Sequence, residues 1–247
     1  MANDDNRSSN SNDNSIKLIR EHENLIKLEK VDNIYKITFI RHPDNRIDRE
    51  FINAFNDLLN VIEDEWRSSR DADTLKYPST SLIVSSTGYK FFSNGLHLEK
   101  CHRDSTFFEG LFDPFLTRLQ NFPIPTVALV NGHAFAAGFT LALCCDYILG
   151  KHNGRGWLCM NENEFGSGIP NGMFKILKKK FNSWSLIRKT VLECHRYTHL
   201  QLFEMCIIDE LYDESELNNM GLEFAKSKSH LCNLGSYDLN KHLYSNL

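Results

Sequence analysis

The residue types best suited to chemistry in this chain fall in two places. The run Pro125-Thr-Val-Ala-Leu-Val-Asn-Gly-His-Ala-Phe-Ala-Ala-Gly-Phe-Thr-Leu-Ala-Leu-Cys-Cys-Asp146 reads as an apolar strand, an Asn-Gly turn and a helix opened by small residues. Such a helix start presents backbone N–H groups that have no partner within the helix, at the positive end of its dipole. Ala136, Ala137 and Gly138 leave room for a ligand oxygen to approach that backbone closely. The second place is Glu162-Asn-Glu-Phe-Gly166, which carries two carboxylates two residues apart. On an extended segment Glu162 and Glu164 face the same way, and a like charge that close raises a carboxyl pKa. A loop carboxylate by itself is solvated, so the surroundings decide what these two do.

Other polar residues read as structural. His133 follows the Asn-Gly turn, and Lys178-Lys179-Lys180 is a solvated helix face unless an anionic ligand meets it. Cys144 and Cys145 lie on the small-residue helix and belong to the core. The seven cysteines contain no Cys-x-x-Cys pair and no zinc spacing, which fits free thiols in a reducing compartment. The sequence shows no metal cluster, no phosphate-cradling glycine loop and no Ser-His-Asp arrangement.

The elements that position these residues follow from periodicity. Strands over Leu25–Lys30 and Ile34–Ile40 flank a hairpin turn at Val31-Asp32-Asn33. Phe51, Phe55, Leu58, Leu59, Ile62 and Trp66 recur at helical spacing, and Ser81–Ser85 is a buried parallel strand. A glycine turn at Gly88 precedes the aromatic-glycine segment Phe91-Phe-Ser-Asn-Gly95. A second amphipathic helix runs from Phe107 to Phe122. After the strand at Pro125–Val130, the helix is placed over Ala134–Ala142 and a further strand at Tyr147–Leu149. From Trp184 onward the pattern is helical. Strands alternating with helices, then a helical tail, imply one α/β domain: a core over 16–183 and a helical C-terminal extension over 184–247. Residues 1–15, almost wholly Asn, Asp, Ser and Arg, are expected to be disordered.

A net charge of -4 offers nucleic acid and anionic membranes no global attraction, so any anionic ligand must be recognised locally. The longest apolar run, Val127–Leu149, is broken by Asn131, Gly132, His133, Gly138 and Asp146, so no membrane span is expected.

The Pro125–Asp146 run closely resembles the signature of the enoyl-CoA hydratase/isomerase (crotonase) family. Gly88-Tyr-Lys-Phe-Phe-Ser-Asn-Gly-Leu-His-Leu98 resembles the same family's first oxyanion loop, with His97 where an Asp is usual. Ile207-Ile-Asp-Glu-Leu211 resembles a third family segment, whose leading Gly is Cys206 here. The resemblance runs from about Ile26 to His230. It implies a crotonase-like ββα spiral core whose Leu96 and Ala137 N–H groups hold a thioester oxygen. Substrate contacts are implied at Arg46, Gly95, Gly138 and Thr140, with Asn45-Arg46-Ile47 near the coenzyme A moiety.

The reaction turns on two family glutamates. The position of the first is Thr140, whose hydroxyl is no general base near neutral pH. Glu162 occupies the position of the second, with Glu164 kept as the rival, while Pro170 stands where another isomerase branch carries its base. One glutamate present and one missing resembles the Δ3,Δ2-enoyl-CoA isomerases, especially the plant peroxisomal branch. Isomerisation needs no cofactor, coenzyme A being part of the substrate. Another crotonase reaction, hydratase or thioesterase, or plain acyl-CoA binding remains the alternative. The resemblance further implies a homotrimer or hexamer. The Ser245-Asn246-Leu247 tail is similar to a peroxisomal address read by an import receptor, with the cytoplasm as the other location.

Overall fold

The structure is a computed structural model that describes residues 16–88, 90–153 and 155–245. The expected disorder of residues 1–15 and the end of the Ser-Asn-Leu tail lie outside the described residues.

The chain opens with three antiparallel strands, β1 (Ile16–His22), β2 (Ile26–Val31) and β3 (Ile34–Phe39). The β2–β3 hairpin falls where the sequence placed it, with Asp32 in the left-handed conformation (φ 55°). Helix α1 (Arg49–Ser68) follows, its N-terminus capped by the Asp48 carboxylate on Phe51 N–H, and it buries all six of the apolar residues read from its spacing. The chain then winds as a repeated strand–strand–helix unit. In the first turn β4 (Ser81–Ser86) and β5 (Phe91–Ser93) lead to α2 (Leu98–His102) and α3 (Asp113–Gln120). In the second, β6 (Thr126–Leu129) and β7 (His133–Phe135) lead to α4 (Ala137–Cys144). In the third, β8 (Tyr147–Lys151) and β9 (Leu158–Cys159) lead to α5 (Asn171–Lys180). The first strand of each unit joins a sheet ordered β1-β2-β3-β4-β6-β8-β10, and the second joins a small sheet ordered β5-β7-β9. This is the ββα spiral of the crotonase fold.

The large sheet is covered on both faces, which is why β4 and β6 are buried without alternation. Leu82, Val84 and Ala128 face the main core, whereas Ile83, Val127 and Leu129 face a second cluster. The tail supplies that second cover. Its elements are α6 (Trp184–Val191), α7 (His199–Glu204), α8 (Leu217–Lys228) and α9 (Ser236–Ser245). Leu217 and Ala225 of α8 pack on the second face. The tail departs from a purely helical reading at β10 (Glu210–Tyr212), which returns to the sheet parallel to β8.

Two other local departures have clear causes. The helix read as continuous from Phe107 to Phe122 contains a π-helical turn at Phe108–Phe112 before α3. Pro114 has no N–H for the Gly110 carbonyl, so a regular i→i−4 ladder cannot pass through it. The helix expected from Ala134 begins at Ala137, because His133–Phe135 pairs as β7 between β5 and β9.

Candidate active site

The ends of all three spiral turns meet around a cavity of about 610 Å³. Asn94 and Leu96 enter it from the loop after β5, and Ala136 and Ala137 from the start of α4. Leu96 sits on the cavity wall because Ile47 runs beside it: Ile47 N–H donates to Gly95 O (2.9 Å) and His97 N–H to Ile47 O (2.8 Å). Gly95 adopts φ +80°, and a Cβ there would press within 2.9 Å of Phe135 O, so only glycine lets this loop lie against β7. Ala136 holds φ 52° and ψ −121°, a strained conformation for a residue with a Cβ, and turns the chain so that α4 starts at the wall. Among the described residues, no acceptor takes the N–H of Leu96 or of Ala137.

Glu162 closes the site from the other side. It is the first residue of a 3₁₀ turn (Glu162–Phe165) after β9, 5% exposed, and neither carboxylate oxygen has a hydrogen-bond partner. Burial pushes its carboxyl up to about 7. Glu164, the rival on sequence, points outward and pairs with Arg196 Nη2 at 3.0 Å. The expected like-charge effect of Glu164 is replaced by desolvation as the cause of the upward shift.

Arg46 lines the cavity and is held in place by its own contacts, Nη1 donating to Leu96 O (3.2 Å) and Nε to Asp44 (3.0 Å). Gly95, Gly138 and Thr140, expected as substrate contacts, do not reach the wall. Gly138 instead lets α4 lie on β5, since a Cβ there would collide with Ser93 O. Thr140 is fully buried behind the first turn of α4, its hydroxyl donating to Ala136 O (3.3 Å). His133 is structural as read: its Nδ1 accepts from Trp157 N–H (3.0 Å). The three lysines close α5, whose opposite end contributes Asn171 and Met173 to the wall; Lys180 donates to Cys145 O (3.0 Å). Among the described residues no group of three or more His, Cys, Asp or Glu is placed to hold a metal ion. Among them also, no helix is long and apolar enough to cross a membrane.

Sequence reasoning missed His102, Glu109 and Asp113, which line the same cavity from α2, the π turn and the start of α3. Asp113 packs its carboxylate against Gly172 at the start of α5, and burial raises its carboxyl pKa. The sequence predicts one helix from Phe107 to Phe122 with Asp113 in its interior, and no local pattern shows that it joins the cavity.

The family model for enoyl-CoA hydratase/isomerase matches residues 29–235. An Arabidopsis thaliana peroxisomal enoyl-CoA delta isomerase 1 is 26% identical over 191 residues, covering 76% of this chain and 75% of the relative. A Salmonella carnitinyl-CoA dehydratase is 28% identical over 148 residues, covering 58% of this chain and 55% of the relative. Among solved structures, an apo Mycobacterium tuberculosis enoyl-CoA isomerase superposes with a TM-score of 0.77 at 19% identity, over 91% of this chain and 92% of the other. A Mycobacterium marinum enoyl-CoA hydratase gives 0.76 at 18% identity, over 90% and 91%. The chain belongs to the enoyl-CoA hydratase/isomerase family.

Proposed function

We propose that the chain is a Δ3,Δ2-enoyl-CoA isomerase of unsaturated fatty-acid β-oxidation. One observation carries this reading: a single buried carboxylate, Glu162, shares a cavity with the free N–H groups of Leu96 and Ala137, while Thr140 replaces the other family glutamate. The thioester oxygen accepts from both amides. The ionised Glu162 takes a proton from C2 of a 3-enoyl thioester, and the C2–H electrons pass into a dienolate whose oxygen the amides hold. The same carboxyl then returns the proton at C4, leaving the double bond between C2 and C3. Removing one such amide donor costs about 10²–10³ in rate, and a placed acid–base group contributes about 10²–10⁴. Arg46 lines the same wall and is the residue that the family resemblance puts near the coenzyme A moiety. The reaction needs no cofactor. The homotrimer or hexamer follows from the family resemblance, and peroxisomal location from the Ser-Asn-Leu tail and from Arabidopsis relatives named as peroxisomal.

The test is turnover of 3-hexenoyl-CoA, coupled to detection of the 2-enoyl product. The wild-type protein isomerises it and Glu162→Gln does not; wild-type turnover in the variant sinks the assignment. A second reading, hydration, draws on Asp113 as another carboxyl on the same cavity. Crotonyl-CoA supplied to the same protein separates the two, since only a hydratase forms 3-hydroxybutyryl-CoA from it.

A further inference from the structure

The Glu162 carboxylate has no partner of its own, so the backbone of the turn that carries it fixes where it points. Besides the β7–β9 pairing that leads into it, that turn is tied to one further segment, residues 192–197 between α6 and α7. Leu158 in β9, four residues before Glu162, exchanges both backbone hydrogen bonds with Tyr197, each at 3.0 Å. Asn163 Nδ2 donates to Leu192 O at 3.0 Å. The Glu164 carboxylate takes Arg196 Nη2 on both oxygens, at 3.0 and 3.3 Å, and the guanidinium lies 5.7 Å over the Trp157 ring. The segment is itself braced: Tyr197 is buried with its hydroxyl 3.0 Å from Thr190 Oγ1, and Cys194 turns the chain at φ 49°.

We propose that Arg196 is a positioning residue for Glu162, acting through Glu164 and, with the Asn163–Leu192 bond, clamping the base-bearing turn. The proposal rests on the isomerase reading for its kinetic effect but not for its structural content. Two scales separate such a role from a merely stabilising one. Arg196 and Glu164 are nearly half exposed, and an exposed ion pair contributes little to global stability. A displacement of about 1 Å in a catalytic group, by contrast, costs on the order of 10²-fold in rate. Losing the clamp is therefore expected to change turnover much more than folding. Asn163 and the Ser167 N–H bond to Glu162 O (3.0 Å) remain as tethers when Arg196 is lost, so the loss is partial.

The test uses Arg196→Ala, Glu164→Ala and the charge-exchanged double variant Glu164→Arg/Arg196→Glu in the full chain. With 3-hexenoyl-CoA, each single variant is expected to lower kcat about tenfold or more, leaving KM within about twofold and Tm within about 2 °C. The exchanged pair recovers most of the loss. A second readout needs no turnover: carboxyl-¹³C NMR titration of Glu162 in the free protein. A released turn hydrates the carboxylate, so the Glu162 midpoint falls toward the ordinary glutamate range in the singles and returns in the double. The other carboxyls that share its surroundings, Asp113 and Glu109 on the cavity and Glu164 behind it, are read in the same spectra, while His102 on the cavity and Arg196 behind it are the basic groups nearby. Singles that keep both the wild-type midpoint and kcat overturn the proposal, as does a moved midpoint with unchanged kcat. If the wild-type protein isomerises nothing, the isomerase reading fails while the titration still decides the clamp.

Discussion

Replacing Glu162 by glutamine keeps the side chain's size and removes its charge, which separates what burial costs from what the charge does. Glu162 is 5% exposed, and its carboxyl rises from 4.5 to about 7 with desolvation as the upward cause. A shift of that size corresponds to about 3 kcal/mol, at 1.36 kcal/mol per pH unit. The sign follows from proton binding. Below pH 4.5 the carboxyl is protonated in both folded and unfolded chains, so it contributes no pH-dependent difference. Between 4.5 and about 7 the unfolded chain loses its proton while the folded one keeps it, and stability falls as pH rises. Above about 7 both forms are ionised and the full penalty, about 3 kcal/mol, persists.

Glutamine carries none of this dependence. Its buried amide adds a cost that does not vary with pH, so the informative quantity is the change in the wild-type/variant difference. Urea unfolding of both proteins from pH 4 to pH 8 is expected to show Glu162→Gln gaining about 3 kcal/mol on the wild type across that range. With Glu162 as the proposed base, kcat/KM for 3-hexenoyl-CoA is expected to rise with pH through about 7. A stability difference that is flat with pH refutes the buried, unpartnered carboxylate. A flat rate profile refutes its use as the base.

Other positions test the scaffold. Cys206, exposed, holds φ 56°, and Cys206→Gly is expected to stabilise by about 1 kcal/mol in denaturant titration. Gly138→Ala puts a methyl onto Ser93 O and is expected to lower stability by about 1–3 kcal/mol, read as a fall in Tm. Thr140→Ala loses one buried hydrogen bond, about 1 kcal/mol, yet leaves KM and kcat within about twofold because its hydroxyl faces Ala136 O and not the cavity. Lys241 in α9 is buried and donates to Phe122 O and Asp146 Oδ2, each at 2.8 Å. Lys241→Met is expected to cost about 3 kcal/mol by removing the charge partner of that carboxylate, which keeps only the neutral donors Thr126 N–H and Oγ1, measured by urea unfolding.

What the sequence made legible was whatever local chemistry alone determines. The apolar period of α1, the Asn-Gly turn and the small-residue opening of α4 each state their conformation within a few residues. β1 did not, because Ile16–His22 is an edge strand whose side chains are mostly exposed and show no buried face. β7 did not, because three residues of mixed polarity become a strand only through pairing with β5 and β9. Asp113 was hidden for the same reason, being carried to the cavity by the packing of α3 against α5.

The choice between Glu162 and Glu164 shows where such reading stops. On an extended segment, side chains two residues apart share a face, and both carboxylates would line the cavity. Here Asn161–Gly166 winds into a 3₁₀ turn, closed by Gly166 in the left-handed conformation at φ 74°. With three residues per turn, side chains two apart diverge by about 120°, so one carboxylate must leave the cavity if the other enters. Arg196 gives the outward one a partner, and the inward one has none. The same short turn thus yields a charged tether on the surface and, two residues away, a carboxyl whose burial holds it near 7. A general base for work near neutral pH needs that value, and a fully hydrated loop would have left it in the ordinary glutamate range.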